Sequence, residues 1–401
     1  MKKYLPRSTE LIAHPYQPPV GFVSVQPAVH RASTIVFKNV AAMRARKWKE
    51  KIGYTYGLHG TPTTFTLEER IATLEGGLQT LLVPSGLASI TLVDMALLSA
   101  GDQVLIPDNA YGPGKEFARH ELASWGVGHA FYDSMTPASL AAAITPATRL
   151  VWIEAPGSVT MEFPDITALI AIARERGITI ALDNTWGAGL AFEPFALRAE
   201  VGGQTMAVDI SVQALTKYPS GGADVLMGSV TTRDEALHQR IKMTHMRSGW
   251  GVAGNDAEMV LRSLPTLPLR YEAQARAGLT LAQWWADRDE IRQVLHPALP
   301  GSPGHDHWAR LCSDAAGLFS VVFDARYSTR QVDAFVDALR LFRIGYSWAG
   351  PISLVMPYDL DLLRGAPASS GKLVRFSIGF EAVGDLIDDC LQALGALERS
   401  D

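Results

Sequence analysis

Lys217 stands just past the apolar run Ile210–Ala214, in Thr216-Lys217-Tyr218. The ammonium of a lysine at the end of a buried strand must be neutralised or put to use. Desolvation lowers its pKa toward a free amine that can form a Schiff base. A second apolar stretch, Ile178 to Leu182, closes on Asp183-Asn184-Thr185-Trp186. A carboxylate there needs a cation to meet it, unless it caps a helix or bonds a loop. The run Thr80–Pro84 gives way to Ser85-Gly86-Leu87-Ala88-Ser89. That turn is either a plain strand-to-helix joint or a cup whose N–H groups hold a phosphate at a helix N-terminus. The run Gln103–Pro107 leads to Asp108-Asn109-Ala110-Tyr111-Gly112-Pro113, where Tyr111 is a core side chain or an aromatic at a rim. Phosphate cup, stacking aromatic, carboxylate for a ring nitrogen and Schiff-base lysine together form the protein's side of a pyridoxal 5'-phosphate site. No one of the four specifies it alone.

These residues all follow short apolar runs, and in an open parallel sheet functional groups collect beyond the carboxyl ends of the strands. The runs are Thr80–Pro84, Gln103–Pro107, Leu150–Glu154, Thr179–Asp183, Ile210–Ala214 and Val225–Val230. Their Val, Ile and Leu are consecutive rather than alternating, as in strands covered on both faces. Helix-period segments lie between them at Leu87–Leu98, Gly114–Trp125 and Asp165–Arg176. The alternation predicts a doubly wound α/β domain with a mostly parallel sheet. After Leu264 the texture changes. A long helix over Leu269–Trp285 precedes a Pro/Gly-rich stretch, a strand at Leu318–Phe323 and a helix at Thr329–Phe342. A strand at Val374–Ile378 and a helix at Val383–Glu398 complete a smaller α+β domain. The first 60 residues read as an arm packed on a neighbouring subunit, with a short basic helix at Ala41–Lys51. The domains are therefore expected at 1–60, 61–264 and 265–401.

The composition agrees with a globular protein and narrows its class. Of 401 residues, 47% are hydrophobic and 19% charged, which is not the balance of a disordered chain. Lys plus Arg number 36 against 41 Asp plus Glu, so the net charge of −5 lacks the basic footprint of a nucleic-acid binder. Cys312 and Cys390 are too few for a disulfide framework and suit buried thiols in a cytoplasmic protein. Met1 to Gly21 offers no apolar core for a signal peptide, and no run of 18 apolar residues suggests a membrane span. His305-Asp306-His307 reads as a solvated turn rather than a metal site, and no metal is expected.

Longer stretches carry a resemblance. They include Arg31-Ala32-Ser33-Thr34-Ile35-Val36-Phe37, Tyr56-Gly57-Leu58-His59-Gly60-Thr61 and Glu154-Ala155-Pro156-Gly157-Ser158-Val159-Thr160-Met161-Glu162. Gln213-Ala214-Leu215-Thr216-Lys217-Tyr218, His296-Pro297-Ala298-Leu299-Pro300-Gly301, Gly345-Tyr346-Ser347-Trp348 and Arg375-Phe376-Ser377-Ile378-Gly379-Phe380-Glu381 continue it. With these the chain resembles the Cys/Met-metabolism family of fold-type I pyridoxal-phosphate enzymes over nearly its whole length. Ser158, where relatives usually have Asn, and Tyr346-Ser347-Trp348 are similar to the cystathionine β-lyase branch.

The resemblance implies a role for each matching residue. Lys217 carries the cofactor covalently and shuttles a proton, Asp183 pairs with the ring nitrogen, and Tyr111 stacks on the ring. Gly86, Leu87 and Thr216 hold the phosphate, with Tyr56 reaching in from a neighbouring subunit. Arg375 takes the α-carboxylate of a small amino-acid substrate, and Tyr346, Ser347 and Trp348 line that pocket. A homotetramer with active sites shared between subunits follows. The implied reaction is carbon–sulfur β-elimination of cystathionine or related cysteine S-conjugates to a thiol (homocysteine), pyruvate and ammonia. A γ-acting relative, such as a methionine γ-lyase or cystathionine γ-synthase, is the alternative, and a non-catalytic cofactor-binding regulator a remoter one.

The chain departs from the pattern in one loop. The family usually has Arg where this chain has Leu58, and losing that phosphate contact costs roughly 1.5–3 kcal/mol if nothing replaces it. The next position, Arg in cystathionine β-lyases and facing the substrate's far carboxylate there, is His59. It is either a space-filling loop residue or a hydrogen-bond donor to phosphate or carboxylate. Both changes bear on substrate choice more than on the chemical step.

Overall fold

The apolar runs pair into a seven-stranded sheet in the chain's computed structural model, which describes residues 21, 24–47, 51, 53–197, 200–201, 204–359 and 372–398. Its strands are β1 (Gln79–Val83), β2 (Gln103–Pro107), β3 (Gly128–Tyr132), β4 (Thr148–Glu154) and β5 (Thr179–Asp183). A two-residue ribbon, β6 (Glu200–Val201) with β7 (Gln204–Thr205), stands apart from it. Then come β8 (Ile210–Gln213) and β9 (Gly228–Thr232), and the order across the sheet is β1-β9-β8-β5-β4-β2-β3.

The five strands from β8 to β3 are mutually parallel, whereas β9 runs antiparallel to both β8 and β1. The Val225–Val230 run was thus correctly read as sheet but not as parallel, and its strand begins at Gly228. An antiparallel strand covered on both faces shows the same consecutive apolar pattern as a parallel one. Strand β3 escaped the sequence reading because its GHAFY is only partly buried at the sheet's edge.

Side chains alternate between two cores. Leu105, Val151, Ile153, Ile180 and Leu182 pack with Ile166, Leu169 and Ile170 of the helix Ile166–Glu175. Val104, Ile106, Leu150, Trp152, Ala181, Ile210 and Val212 pack with Leu92, Val93 and Ala96 of the helix Gly86–Leu97. Two buried faces leave the carboxyl ends of the parallel strands as the open edge for polar side chains.

The second sheet joins β10 (Ile291–Leu295), β11 (Leu318–Phe323), β12 (Arg343–Ile344), β13 (Leu354–Asp359) and β14 (Lys372–Ser377) in the order β10-β11-β14-β13-β12. The period of two on β14 decides where its arginine goes. Val374 and Phe376 pack into this domain's core with Trp285, Phe319 and Phe335. Leu373 joins the core of the large sheet instead, and Arg375, two residues on, shares that face.

Other expectations shift in detail. The helix foreseen at Ala41–Lys51 spans only Val40–Arg44 among the described residues; residues 48–50 and Met1–Val20 lie outside them. The helix beginning at Thr329 stops at Ala338, four residues early, because Asp389 accepts the N–H groups of Arg340 and Leu341 at 2.9 and 2.8 Å and turns the chain there. His305-Asp306-His307 opens a helix, His305–Leu311, rather than forming a turn. Cys312 and Cys390 are both buried. Among the described residues no helix is long and apolar enough to cross a membrane.

Candidate active site

A cavity of about 190 Å³ opens at the carboxyl ends of the parallel strands and is closed on one side by the second domain. Gly86, Leu87, Tyr111, Asp183, Thr216, Lys217, Trp348 and Arg375 all line it. Residues separated by up to 289 positions are thus brought to one space, those of the large domain from at or just beyond the strands' carboxyl ends or from the start of a helix, Arg375 from the middle of β14 and Trp348 from the loop before β13.

Lys217 follows β8, and its Nζ donates to Ser347 Oγ at 2.6 Å and lies 5.5 Å from the centre of the Trp348 ring. Burial, reinforced by the Arg375 guanidinium and opposed by Asp183, lowers its ammonium to a pKa of about 8. Near neutral pH an appreciable share is therefore the free amine that nucleophilic chemistry requires. Asp183 ends β5. Its Oδ1 accepts from Thr185 N–H at 2.9 Å and from Thr185 Oγ1 at 2.5 Å, while Thr185 Oγ1 accepts from Ala214 N–H at 2.9 Å. Thr185 thereby ties the carboxylate to the segment that bears Lys217. Burial raises the Asp183 pKa, and Thr185 and Lys217 pull it back.

The phosphate cup is a helix start. Ser85 caps the helix Gly86–Leu97, its Oγ accepting from Ala88 N–H at 3.0 Å. A Cβ at Gly86 would sit 2.5 Å from Ala214 Cβ, so only glycine lets this helix end seat against the β8 segment. Tyr111 precedes the helix Gly112–Phe117 and is 42% exposed at the rim. Burial raises its phenol pKa, and the carboxylates of Asp183 and Glu154 add to the shift.

Arg375 is buried, with its guanidinium 5.3 Å from the Tyr358 ring centre and Nη2 donating to Ser347 O at 3.2 Å. Ser347 itself takes φ 84°, and Val159, Met161 and Ala349, also near the cavity or its lining, have φ of 70°, 53° and 66°. Left-handed backbone costs a non-glycine residue roughly 1–3 kcal/mol and persists where the surroundings impose it. Here it aims the Ser347 hydroxyl at Lys217 and its carbonyl at Arg375.

Four named residues are not on the cavity wall of their own chain: Ser347, which still bonds Lys217, and Tyr56, Tyr346 and His59. Tyr56 bridges Thr34 in a short antiparallel contact and is 47% exposed, and Tyr346 is 74% exposed. His59 lies in the turn Gly57–His59 and borders a separate small cavity with Leu58, Lys242 and His245. Its Nδ1 is 2.7 Å from Thr55 Oγ1, and burial followed by the charge of Lys242 lowers its pKa. A lowered pKa leaves His59 neutral at pH 7, unlike the arginine expected there. The loop is pinned: a Cβ at Gly57 would overlap Ala32 O, so the Arg31–Phe37 stretch lies directly against it.

Ile90, Leu226 and Leu318, to which the sequence reading gave no part in the site, also line the wall. Tyr358, facing Arg375, was missed because a tyrosine on a half-buried strand is ordinary composition.

The donor set fits pyridoxal 5'-phosphate. A desolvated amine is there for its aldehyde and a buried carboxylate for its pyridine nitrogen. A glycine-opened helix N-terminus with the Thr216 hydroxyl suits its phosphate.

The sequence matches the family described as Cys/Met metabolism PLP-dependent enzyme over residues 8–395. It is 38% identical over 386 residues to a cystathionine β-lyase of Bordetella avium, covering 95% of this chain and 94% of that one. Identity to the cystathionine β-lyase MetC of Escherichia coli is 33% over 374 residues, 91% of this chain and 92% of that one. The fold superposes on the crystal structure of a cystathionine γ-synthase from Xanthomonas oryzae pv. oryzae in complex with cystathionine. That match has a TM-score of 0.84 and 28% identity, with 96% of each chain covered.

Proposed function

The chain belongs to the Cys/Met-metabolism family of pyridoxal-phosphate enzymes, and from that premise we propose the reaction and the work of each residue. It is a carbon–sulfur β-lyase of the cystathionine β-lyase kind, which splits cysteine S-conjugates into a thiol, pyruvate and ammonia. The observation that carries this reading is the Lys217 amine, held 2.6 Å from Ser347 Oγ in a cavity shared with Asp183 and Arg375. The β-lyase relatives and the Ser158 and Tyr346-Ser347-Trp348 signatures favour β- over γ-elimination.

Pyridoxal phosphate, when bound, supplies an electron sink for the pair left at Cα when a proton departs. Lys217 would hold it covalently, Asp183 would face its ring nitrogen, and Gly86, Leu87 and Thr216 would take its phosphate. Arg375 receives the substrate α-carboxylate as a two-pronged, charge-assisted partner. Ser347 holds the Lys217 amine in line and lends its carbonyl to Arg375. Lys217, as the free amine, takes the Cα proton and hands it to the leaving thiolate when the Cβ–S bond breaks. Tyr111 guards the rim where one amine replaces another. The three-carbon remainder leaves as an enamine, which water hydrolyses to pyruvate and ammonia.

The protein works in the cytoplasm as a homotetramer built from an arm (1–60), a large domain (61–264) and a small domain (265–401). Tyr56 and His59, outside the cavity of their own chain, serve a neighbour's site.

The polar end of the substrate beyond sulfur meets little charge. Among the described residues, Lys217 and Arg375 are the only Lys or Arg side chains on the cavity wall, and both are committed to the α-amino acid end. Leu58 and a neutral His59 supply no cation in place of the family's arginines. S-alkyl cysteines should therefore react with a kcat/KM within about tenfold of that for cystathionine, a gap of only about 1.4 kcal/mol. The check is pyruvate release across cystathionine, cystine and S-alkyl cysteines. A preference for cystathionine of several orders of magnitude would show that a cation does meet its far carboxylate.

A further inference from the structure

Two carboxylates end adjacent strands at the floor of the cavity. Glu154 on β4 lies directly across from Asp183 on β5 in the parallel register, and both side chains line the site. Their surroundings differ. Asp183 has two donors from Thr185 and the positive charge of Lys217 close by. Glu154 Oε2 accepts the backbone N–H of Tyr111 at 2.7 Å, and its side chain also bonds that of Ser158. The charged or titratable groups that bear on Glu154 are Asp183 from β5, and Tyr111 and Lys115 from the segment after β2. Lys115 is itself tied to Asp108 O at 2.6 Å.

We infer that Glu154 is a positioning residue for the reaction. It stays a neutral carboxylic acid beside Asp183, anchors Tyr111 at the rim through that residue's backbone N–H, and leaves the negative charge of the pair on Asp183. The inference rests on the β-lyase reading only for what Tyr111 and Asp183 then do. Like charges on facing strands cannot both persist without water, so one proton must remain on the pair. Each has two hydrogen-bond partners, but the cation beside Asp183 is the site's own Lys217, whereas Lys115 near Glu154 is tied to Asp108 O, so Asp183 is the member that gives it up. Burial and the charge of Asp183 push the Glu154 carboxyl up to about 8, which places the proton there at neutral pH. A neutral acid suits both its contacts: one oxygen accepts from Tyr111 N–H, and the O–H can donate to the Ser158 hydroxyl. Gln at this position reproduces both, with its carbonyl toward Tyr111 and its amide N–H toward Ser158.

The test compares the cofactor-loaded parent, E154Q and E154A. At pH 7, E154Q should keep the parent's kcat/KM to within about threefold. E154A, which frees Tyr111, should lose about 10²-fold in kcat/KM, as a displaced active-site group does, while still showing the cofactor's visible band. Infrared difference spectra taken below and above pH 8 should show a protonated-carboxyl band disappearing in the parent, with that change missing in both variants. Three results would overturn the inference: E154Q falling as far as E154A, E154A matching the parent, or the infrared change persisting in E154Q. If the parent itself formed no pyruvate, the β-lyase reading would fail instead, and the infrared band would still report on Glu154.

Discussion

Replacing Lys217 with alanine should lower β-elimination by at least about 10⁴-fold, since in the proposed mechanism one side chain supplies both the covalent anchor and the proton transfer. The loaded enzyme should also lose the visible absorbance band that reports a cofactor joined to lysine. Fold is not at stake, because Lys217 lines the cavity, bonds the Ser347 side chain and contributes to no apolar cluster. Removing a desolvated ammonium whose pKa is depressed to about 8 even relieves a cost. The sign follows from linkage: its folded pKa lies below the ordinary lysine value, so burying the charged form weakens the fold at pH values below about 8. K217A should therefore melt no lower than the cofactor-free parent at pH 7, and the difference should vanish well above pH 10.5, where the amine is neutral in both states. Thermal melts and a pyruvate assay on the same preparation check both halves. An active K217A would remove Lys217 from the chemistry altogether.

Arg375 is the second large effect. It is buried, its charge is met by Tyr358 and Ser347 O, and burial lowers its pKa. Among the residues described around it, no carboxylate is bonded to this guanidinium, so the site keeps a cation ready for the substrate's own. Truncation to Ala should lower kcat/KM by about 10³-fold, in line with the roughly 2–5 kcal/mol lost when one partner of a buried charge pair is removed. R375K keeps the charge but not the fork, and should fall between, with a loss of about 10–100-fold carried mainly by KM. Steady-state kinetics with a cysteine S-conjugate separate the two. Equal activity in R375K and the parent would show that the carboxylate is not held by two parallel hydrogen bonds.

The parts of the site that lie in the α/β domain were legible because each follows an apolar run at a strand's carboxyl end. Asp183, Lys217, Gly86 and Tyr111 could be read from the sequence for that reason, and all four line one cavity. Arg375 was different. Nothing in KLVRFS marks its arginine as functional, and only the family resemblance pointed to it. The structure supplies the physical cause: with Val374 and Phe376 turned into one core, Arg375 must face the other sheet. Glu154 also closes an apolar run, but its tie to Tyr111 depends on β4 lying beside β2, which a sequence does not display. The direction of β9 was hidden too, since two-sided burial erases the difference between parallel and antiparallel neighbours. Tyr56 and His59 illustrate a further gap, because both lie off the cavity of their own chain and its packing gives no cue to what they face.

Cystathionine itself offers the most direct test of the central claim, because its two halves are of different length. Cleavage on the three-carbon side releases pyruvate with homocysteine, and cleavage on the four-carbon side releases 2-oxobutyrate with cysteine. Quantifying both keto acids and both thiols from one incubation of the loaded enzyme gives the answer in a single measurement. Pyruvate and homocysteine in equal amounts, with ammonia, are the predicted result. Formation of 2-oxobutyrate and cysteine as the main products would contradict it and assign the site to γ-elimination.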